Sequence, residues 1–173
     1  MDLLEIMQGR RSIRSYTGEA IAPEKLEAVL KAGLLAPTGR NLKSAEMILV
    51  TDRDTLRALS VCKERGGQFL SDAAAAVVTV GHKTGQDIWV EDCSIAMSYM
   101  QLEAAALGIG SCWVQFRMRR DAEGNFADGN VRKILNIPDE YEVEAILALG
   151  IPAAAAEARA ADPCDIRIHR EHF

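Results

Sequence analysis

The sequence predicts a single three-layer domain of the α+β or α/β class, with helices packed on a central sheet. Segments with helical spacing of apolar residues alternate with short apolar runs typical of buried strands, and the helical segments are more numerous. The length of 173 residues suits one domain, residues 1–173. A chain of this size buries about 70% of its unfolded surface, so it needs no disulfide or metal for stability.

Helix signals recur along the whole chain. Asp2, followed by Glu5, resembles a capping box, and Pro23 suits the first position of a second helix. The longest apolar pattern is apolar on nearly every side, which predicts a buried central helix ending at Gly108. The predicted helices span residues 2–7, 53–63, 89–107 and 131–135, and a further helix begins at Pro23.

Four short apolar runs predict the strands of the sheet, because each is bounded by glycine, proline or polar residues. The tail alternates apolar and polar residues, as an exposed edge strand or arm does. The predicted strands are residues 47–50, 75–80, 111–116 and 141–149, and the tail segment is 164–169.

Composition excludes several classes of protein. The net charge of −5 argues against a nucleic-acid-binding protein. The sequence has no secretory signal and no apolar run of about 18 residues, which favours a cytoplasmic protein without a membrane segment. Its four cysteines and three histidines are scattered, so we expect free thiols and no metal site. Aromatic residues are only 5%, so a partner subunit or a planar ligand is expected to add to the burial.

The segment Gly9–Tyr16 has the sequence GRRSIRSY, with three arginines in five residues. Guanidinium groups bind phosphate oxygens in a bidentate manner and stay charged at any working pH. In an acidic protein, this cluster indicates an anion site, most simply a phosphate. The alternative is a solvated basic loop, which composition alone leaves about equally favoured.

Other motifs are less specific when taken singly. The segment 36–41, APTGRN, is typical of a turn after a helix, in which Gly39 tolerates a positive φ. Glu91 and Asp92 suit the positive end of a helix dipole better than catalysis. No dinucleotide fingerprint, phosphate-binding lysine loop or acid–base triad is present. If the protein is an enzyme, a cofactor therefore supplies the chemistry.

Taken in order, the motifs resemble the nitroreductase family over nearly the whole chain, in a short form. They are RRSIR after the first helix, APTGRN after the second, an apolar strand, ALGIGSCW after the long helix, and a final ALGIP strand followed by a basic residue. The resemblance implies an α+β, three-layer α/β/α fold with a central mixed, mostly antiparallel sheet. It also implies an intertwined homodimer that holds two FMN molecules at the subunit interface.

The resemblance also assigns residues to the flavin. No catalytic side chain is implied beyond the flavin itself, but a cation at Arg14 would stabilise the anionic reduced ring as electrostatic support. The backbone N–H of Gln115 corresponds to a donor to flavin N5. Residues 160–173 are expected to form a C-terminal arm that reaches the partner subunit. The residues implied in FMN binding are Arg10, Arg11, Ser12, Arg14, Pro37, Thr38, Asn41 (the last three from the second subunit), Trp113, Val114, Gln115 and Arg159.

The sequence departs from the family pattern at two places. Leu42–Ala45 replaces a Gln-Pro-Trp sequence, and Ala161 replaces a second basic residue of the tail. These departures affect the expected substrate specificity more than the expected flavin binding.

The implied function is transfer of electrons from NADH or NADPH, through FMN, to a small-molecule acceptor such as a nitroaromatic or a quinone, by a ping-pong mechanism. Two alternatives remain open from the sequence. One is a family member with a different reaction, either flavin-modifying, dehalogenating or ferredoxin-linked, and the other is a flavin-binding protein without turnover.

Overall fold

The computed structural model describes residues 2–83, 88–157 and 167–173. Its helices are α1 (Leu3–Gly9), α2 (Pro23–Leu34), α3 (Arg53–Ser60), α4 (Trp89–Ala106) and α5 (Ala127–Leu135). Its strands are β1 (Ala45–Val50), β2 (Ala75–His82), β3 (Gly110–Gln115) and β4 (Tyr141–Gly150). Two short 3₁₀ turns lie at Gly39–Asn41 and Gln68–Asp72.

The sheet has the strand order β1-β2-β4-β3, and every neighbouring pair is antiparallel. Strands β1 and β3 are therefore the two edges. Among the residues that the structure describes, the parallel component of the predicted mixed sheet is one bridge between Ser12 and Ser111. The α+β class and the mostly antiparallel sheet are thus confirmed.

Successive side chains along each strand point to opposite faces of the sheet, and each face has its own apolar core. Val77 and Leu147 face α2 and α4, whereas Val78 and Ile146 face α3, α5 and the turn at 68–72, and all four side chains are fully buried. Burying a side chain of this size contributes about 1.5–3 kcal/mol, so the two faces together hold helices on both sides of the sheet. The predicted three-layer arrangement is confirmed.

Helix α4 is the long inner helix that the apolar pattern predicts. It packs closely on α2 at Gly33, where an added Cβ would lie 2.6 Å from Met47 Sδ and 3.0 Å from Met100 Cγ. Met97 and Met100 are completely buried, but Tyr99 on another face of α4 is 41% exposed. None of the helices in the described ranges is long and apolar enough to cross a membrane.

Two helix boundaries differ from the prediction by about three residues or more, and the others differ by less. Helix α3 ends at Ser60, not at residue 63, because Val61 leaves helical geometry and the Cys62 N–H turns back to Leu59 O. Helix α5 begins at Ala127, four residues before the predicted start. There, an ion pair of 3.6 Å between Asp128 and Arg132 and the burial of Ala127 support a first turn that contains glycine and asparagine.

The predicted tail strand at 164–169 lies partly outside the described residues. Residues 164–166 are not described, and the described residues 167–173 contain no strand.

Candidate functional site

The arginine-rich segment runs beside β3, the edge strand. The N–H of Ile13 donates to the carbonyl of Ser111 at 2.9 Å, and Ser12 forms its parallel bridge with the same residue. The hydroxyl of Tyr16 donates to Ile13 O at 2.7 Å, which fixes the curve of the segment. The sequence therefore places Arg10, Ser12 and Arg14 along one side of β3.

The edge of β3 presents a row of backbone N–H groups. Alternate residues of an antiparallel strand turn their backbone groups to opposite sides. The carbonyls of Ser111 and Gln115 accept from Ile13 N and from Lys63 Nζ, both outside the sheet. Residues 111, 113 and 115 therefore turn their backbone groups away from β4, and at Ser111 they meet the arginine-rich segment. The N–H of Gln115 that sequence analysis predicts as a donor points away from β4, as does that of Trp113.

Val114 lies behind this edge, although the family resemblance includes it in the site. Its side chain is buried on the α3/α5 face of the sheet, and its backbone pairs with Ile146 of β4. Neither group faces the free edge, so the contribution of Val114 is to hold the strand in register.

Positive charge lines the edge at both ends. The guanidinium of Arg14 lies 5.9 Å from the centre of the Phe69 ring, and Lys63 donates to the Gln115 carbonyl at 3.0 Å. The charges of Arg14 and Arg10 also act on the thiol of Cys112, whose pKa is nonetheless raised because burial outweighs them. The edge therefore carries outward N–H donors with cations beside it, and we call this strip of β3, residues 111–115, the groove.

Arg10 and Arg11 line a cavity of about 300 Å³ at the start of this groove, between α1 and the end of α4. Arg10 Nη1 donates to Gln101 Oε1 of α4 at 3.2 Å, which orients the guanidinium. Its other N–H groups stay available to an anion. Arg159, the third arginine that the resemblance assigns to the phosphate, lies outside the described residues.

The second predicted segment, residues 37–41, is fixed to the other end of α4. The N–H of Gly39 donates to Asp92 Oδ1 at 2.8 Å, and the hydroxyl of Ser44 donates to Asp92 Oδ2. Pro37, Thr38 and Asn41 line a smaller cavity of about 170 Å³. Asp92 therefore holds this segment, a role that sequence analysis does not assign to it.

The backbone of this segment differs from the sequence expectation. The positive φ values belong to Arg40 (52°), Asn41 (57°) and Lys43 (52°), not to Gly39. An added Cβ at Gly39 would meet the terminal methyl group of Ile88, which would have to rotate away. Three non-glycine residues in the left-handed region store strain of about 1–3 kcal/mol each, as functional segments often do.

The two predicted segments lie far apart within one chain. Arg10 contacts α4 at Gln101 and Gly39 contacts it at Asp92, and these positions are separated by about 13 Å along the helix at 1.5 Å per residue. No hydrogen bond between the segments occurs in the parts of the chain that the structure describes. Within one chain, the two segments are therefore attached to different parts of α4.

A buried polar network supports the edge from behind. Trp113 Nε1 donates to Gln115 Oε1 at 2.7 Å, and Gln115 Nε2 donates to Glu144 Oε1 at 2.9 Å. The side chain of Glu144 is 5% exposed, and its Oε2 lies 3.9 Å from Arg117 Nε. Neither Glu144 nor Lys63 belongs to a sequence motif, and Glu144 stands out only as one of two carboxylates in a mainly apolar strand.

The cysteines and carboxylates form no metal site among the described residues. The pKa of Cys62 is raised to about 11 and that of Cys93 to about 12, in both cases mainly by burial. These thiols are neutral at ordinary pH and unsuited to nucleophilic catalysis.

Comparison with known proteins agrees with this geometry. The family model described as "Nitroreductase family" matches residues 7–65 and 60–151. This chain belongs to the nitroreductase family. The predicted family membership is thereby confirmed, and with it the predicted enzyme class of an FMN-dependent NAD(P)H oxidoreductase.

Individual relatives of this nitroreductase-family chain match over almost their full length. A protein of Archaeoglobus fulgidus, named NADH dehydrogenase/NAD(P)H nitroreductase, is 35% identical over 99% of both chains. The solved structure of an FMN-dependent nitroreductase from Clostridium difficile R20291 is 40% identical, with a TM-score of 0.92 over 98% of this chain and 99% of that one. A Parabacteroides distasonis structure is 26% identical, with a TM-score of 0.89 over 99% and 98%.

Proposed function

We propose that this chain binds FMN in the groove along β3 and passes electrons from NADH or NADPH to a small acceptor, such as a nitroaromatic or a quinone, by a ping-pong mechanism. Its membership of the nitroreductase family and the names of its relatives support the flavin-dependent reaction with NAD(P)H. The acceptor and the order of the two half-reactions are the parts that experiment must decide.

The donor set of the groove suits FMN. FMN has a phosphate dianion, a planar ring, and nitrogen and carbonyl acceptors along the ring edge. The groove supplies backbone N–H donors at Trp113 and Gln115, and guanidinium groups at Arg10 and Arg14. When bound, the flavin supplies a ring that takes a hydride at N5 from the nicotinamide and releases electrons to the acceptor.

The protein residues then act by binding and positioning. Arg10, with Arg11 and Ser12 beside it, is proposed to hold the phosphate and the ribityl chain. Arg14 is proposed to stabilise negative charge on the ring, and the N–H of Gln115 to donate to the ring edge. Glu5 is a carboxylic acid that lines the cavity beside Arg10 and Arg11, and it accepts a hydrogen bond of 2.9 Å from the Asp2 N–H, so its role is to cap α1.

The proposal includes a homodimer whose second copy supplies Pro37, Thr38 and Asn41 to each site. The separation of these residues from Arg10 along α4 supports it. Exposed apolar side chains give a second argument, since Leu3, Leu4 and Met7 of α1 are each at least 46% exposed. Burial of this surface against a second copy would also explain the exposed Tyr99.

We also retain the proposal that residues 160–173 reach the partner subunit and that Arg159 contacts the phosphate. A truncation after residue 157 tests it, because loss of the arm is expected to weaken both FMN binding and dimer association. Unchanged values for both would contradict it.

The row of outward N–H groups on β3 beside the arginine segment is the observation that carries the proposal. The test is the visible spectrum of the purified protein, with and without added FMN, and then under anaerobic NADH or NADPH. A bound flavin bleached by either nucleotide, and parallel initial-rate plots, are expected. Protein that stays colourless after incubation with FMN would refute the proposal. Bound flavin that neither nucleotide reduces would favour a ferredoxin-linked donor instead.

A further inference from the structure

We propose that Lys63 is a second cationic residue of the flavin site, which holds the Gln115 peptide and stabilises the negative charge that the flavin gains on reduction. This inference rests on the proposed function. The residue lies between α3 and the turn at 68–72, outside every motif of the sequence analysis.

The position of Lys63 follows from a single hydrogen bond. Its Nζ donates to the carbonyl of Gln115 at 3.0 Å, at the free edge of β3. The N–H of the same residue faces that edge and is the predicted donor to the flavin ring. The ammonium group therefore lies beside the residue that carries this N–H. The arginine segment joins the strand at the other end, at Ser111.

The local structure holds the ammonium in this place. The Nζ atom lies 5.7 Å from the centre of the Phe116 ring, and the stem of Lys63 packs on Gly67, where an added Cβ would lie 3.2 Å from Lys63 Cγ. Helix α3 ends at Ser60, and the following turn brings Lys63 to the strand. The residue is thus preorganised and not a freely mobile surface lysine.

The charge of Lys63 lacks compensation by a carboxylate. It is half-buried, and none of the ion pairs within the described ranges includes it. Burial and then the charge of Arg119 lower the pKa of Lys63, and both effects reflect a cation held without a counter-ion. Negative charge arriving in the groove would relieve this unfavourable interaction. A fixed cation of this kind favours the charged product over the neutral reactant.

Lys63 could instead serve only to attach its loop to β3, and two substitutions separate these roles. Lys63→Met keeps most of the apolar stem but removes the charge, whereas Lys63→Arg keeps the charge and a donor. Arg65→Met is the matched control, because Arg65 belongs to the same loop and its side chain is 90% exposed. The measurements are the two-electron midpoint potential of bound FMN by dye equilibration, the Kd of oxidised FMN, and thermal unfolding of the apoprotein.

We expect Lys63→Met to lower the equilibrium constant for reduction of bound FMN about tenfold, which is a potential lower by about 30 mV for a two-electron couple. Its Kd for oxidised FMN should change less, because the added charge is present only after reduction. Lys63→Arg and Arg65→Met should keep the wild-type potential.

An unchanged potential in Lys63→Met, or an equal fall in Lys63→Arg, would overturn the inference while leaving the proposed function in place. A lower unfolding temperature with an unchanged potential would show a purely structural lysine. Wild-type protein that binds no FMN would overturn both the proposed function and this inference.

Discussion

The carboxylate of Glu144 accepts a hydrogen bond of 2.9 Å from the side-chain amide of Gln115, so a buried acidic group holds a residue of the β3 edge. Glu144 is the extra residue of an irregularity in the β2–β4 pairing, where Thr79 pairs with Ala145 and Val80 with Val143. Its Oε2 is buried without a hydrogen-bond partner. Burying an unpaired carboxylate oxygen costs free energy of folding. Glu144 therefore serves to position Gln115 more than to stabilise the fold.

Replacement of Glu144 by leucine should separate stability from positioning. The remaining partners stay satisfied, because Arg117 is 39% exposed to water and Gln115 Nε2 keeps its bond to the backbone carbonyl of residue 144, so we expect the free energy of unfolding to change by no more than about 1 kcal/mol. The Gln115 amide and the Trp113 indole lose their fixed orientation, so the tryptophan emission should shift and FMN affinity should fall. Urea denaturation and fluorescence titration measure both effects.

Glu142→Gln is the control for this substitution, since Glu142 is on the same strand with a side chain that is 40% exposed. A loss of more than about 3 kcal/mol in Glu144→Leu, the cost of breaking a productive buried pair, would show that the carboxylate mainly stabilises the fold.

Asp92 offers a test of the segment at 37–41. It is 2% exposed and accepts from both Gly39 N–H and the Ser44 hydroxyl. Hydrogen bonds to a charged group are each worth about 1.5–3 kcal/mol, so Asp92→Ala, which removes two of them, should lower the free energy of unfolding by about 3–6 kcal/mol. FMN affinity should also fall, because Thr38 and Asn41 lose their attachment to α4.

The neighbouring carboxylate provides the comparison. Glu91 precedes Asp92 on α4 but is exposed, so Glu91→Ala should change the free energy of unfolding by less than about 0.5 kcal/mol. Equal effects of the two substitutions would mean that Asp92 acts only through the helix dipole, as sequence analysis expects.

The buried thiols predict a loss of stability in alkali. Burial raises the pKa of Cys62 to about 11 and of Cys93 to about 12, above the ordinary value of 9.0 that applies in the unfolded chain. Above pH 9 the unfolded chain loses these protons first. The stability that each neutral thiol contributes is therefore complete below pH 9 and falls above it, by at most about 1.4 kcal/mol per pH unit, until about pH 11 for Cys62 and about pH 12 for Cys93.

Urea denaturation between pH 7 and pH 11 measures this slope, and Cys93→Ala should reduce it. Tyr16, whose pKa burial also raises, contributes in the same sense above pH 10 and is unchanged between the two proteins. Equal slopes for the two proteins would show that Cys93 ionises as easily in the fold as in the unfolded chain.

The elements of the fold could be predicted because their signals are local. A continuous apolar run identifies β2 and β4, and Pro23 marks the first residue of α2. The start of α5 could not be predicted, because Gly129 and Asn130 weaken its helical pattern, and its support comes from burial of Ala127 and the pair of Asp128 with Arg132.

Only the parts of the candidate site that have a local sequence signal could be predicted. The arginine segment and the residues 113–115 stand out as sequence motifs, and the structure brings Ser12 beside Ser111. Lys63, Asp92 and Glu144 act through partners that are distant in sequence, and no spacing rule connects them. The strand irregularity that turns Glu144 toward Gln115 also leaves no local signature.

Arg10→Ala should weaken FMN binding if this guanidinium holds the phosphate. Loss of a charge-assisted hydrogen bond is expected to cost about 1.5–3 kcal/mol of binding free energy, measured by fluorescence titration of the apoprotein. Arg57→Ala is the control, because Arg57 is exposed and, among the described residues, its ion pair is with Asp54 at 3.0 Å. Equal affinities in the two variants would show that the arginine segment is merely solvated.

The separation of Arg10 and Asn41 along α4 predicts complementation between two defective chains. If each site takes Arg10 from one copy and Asn41 from the other, Arg10→Ala and Asn41→Ala homodimers each have two damaged sites. A mixed dimer has one intact site and one doubly damaged site, so co-expression of differently tagged chains and purification through both tags should recover FMN bound at wild-type affinity.

Mixing Arg10→Ala with Arg14→Ala is the control, since both residues come from the same copy's segment and the mixed dimer has no intact site. Failure of the first pair to exceed the second, or sedimentation of the FMN-bound wild type as a monomer, would place the whole site within one chain.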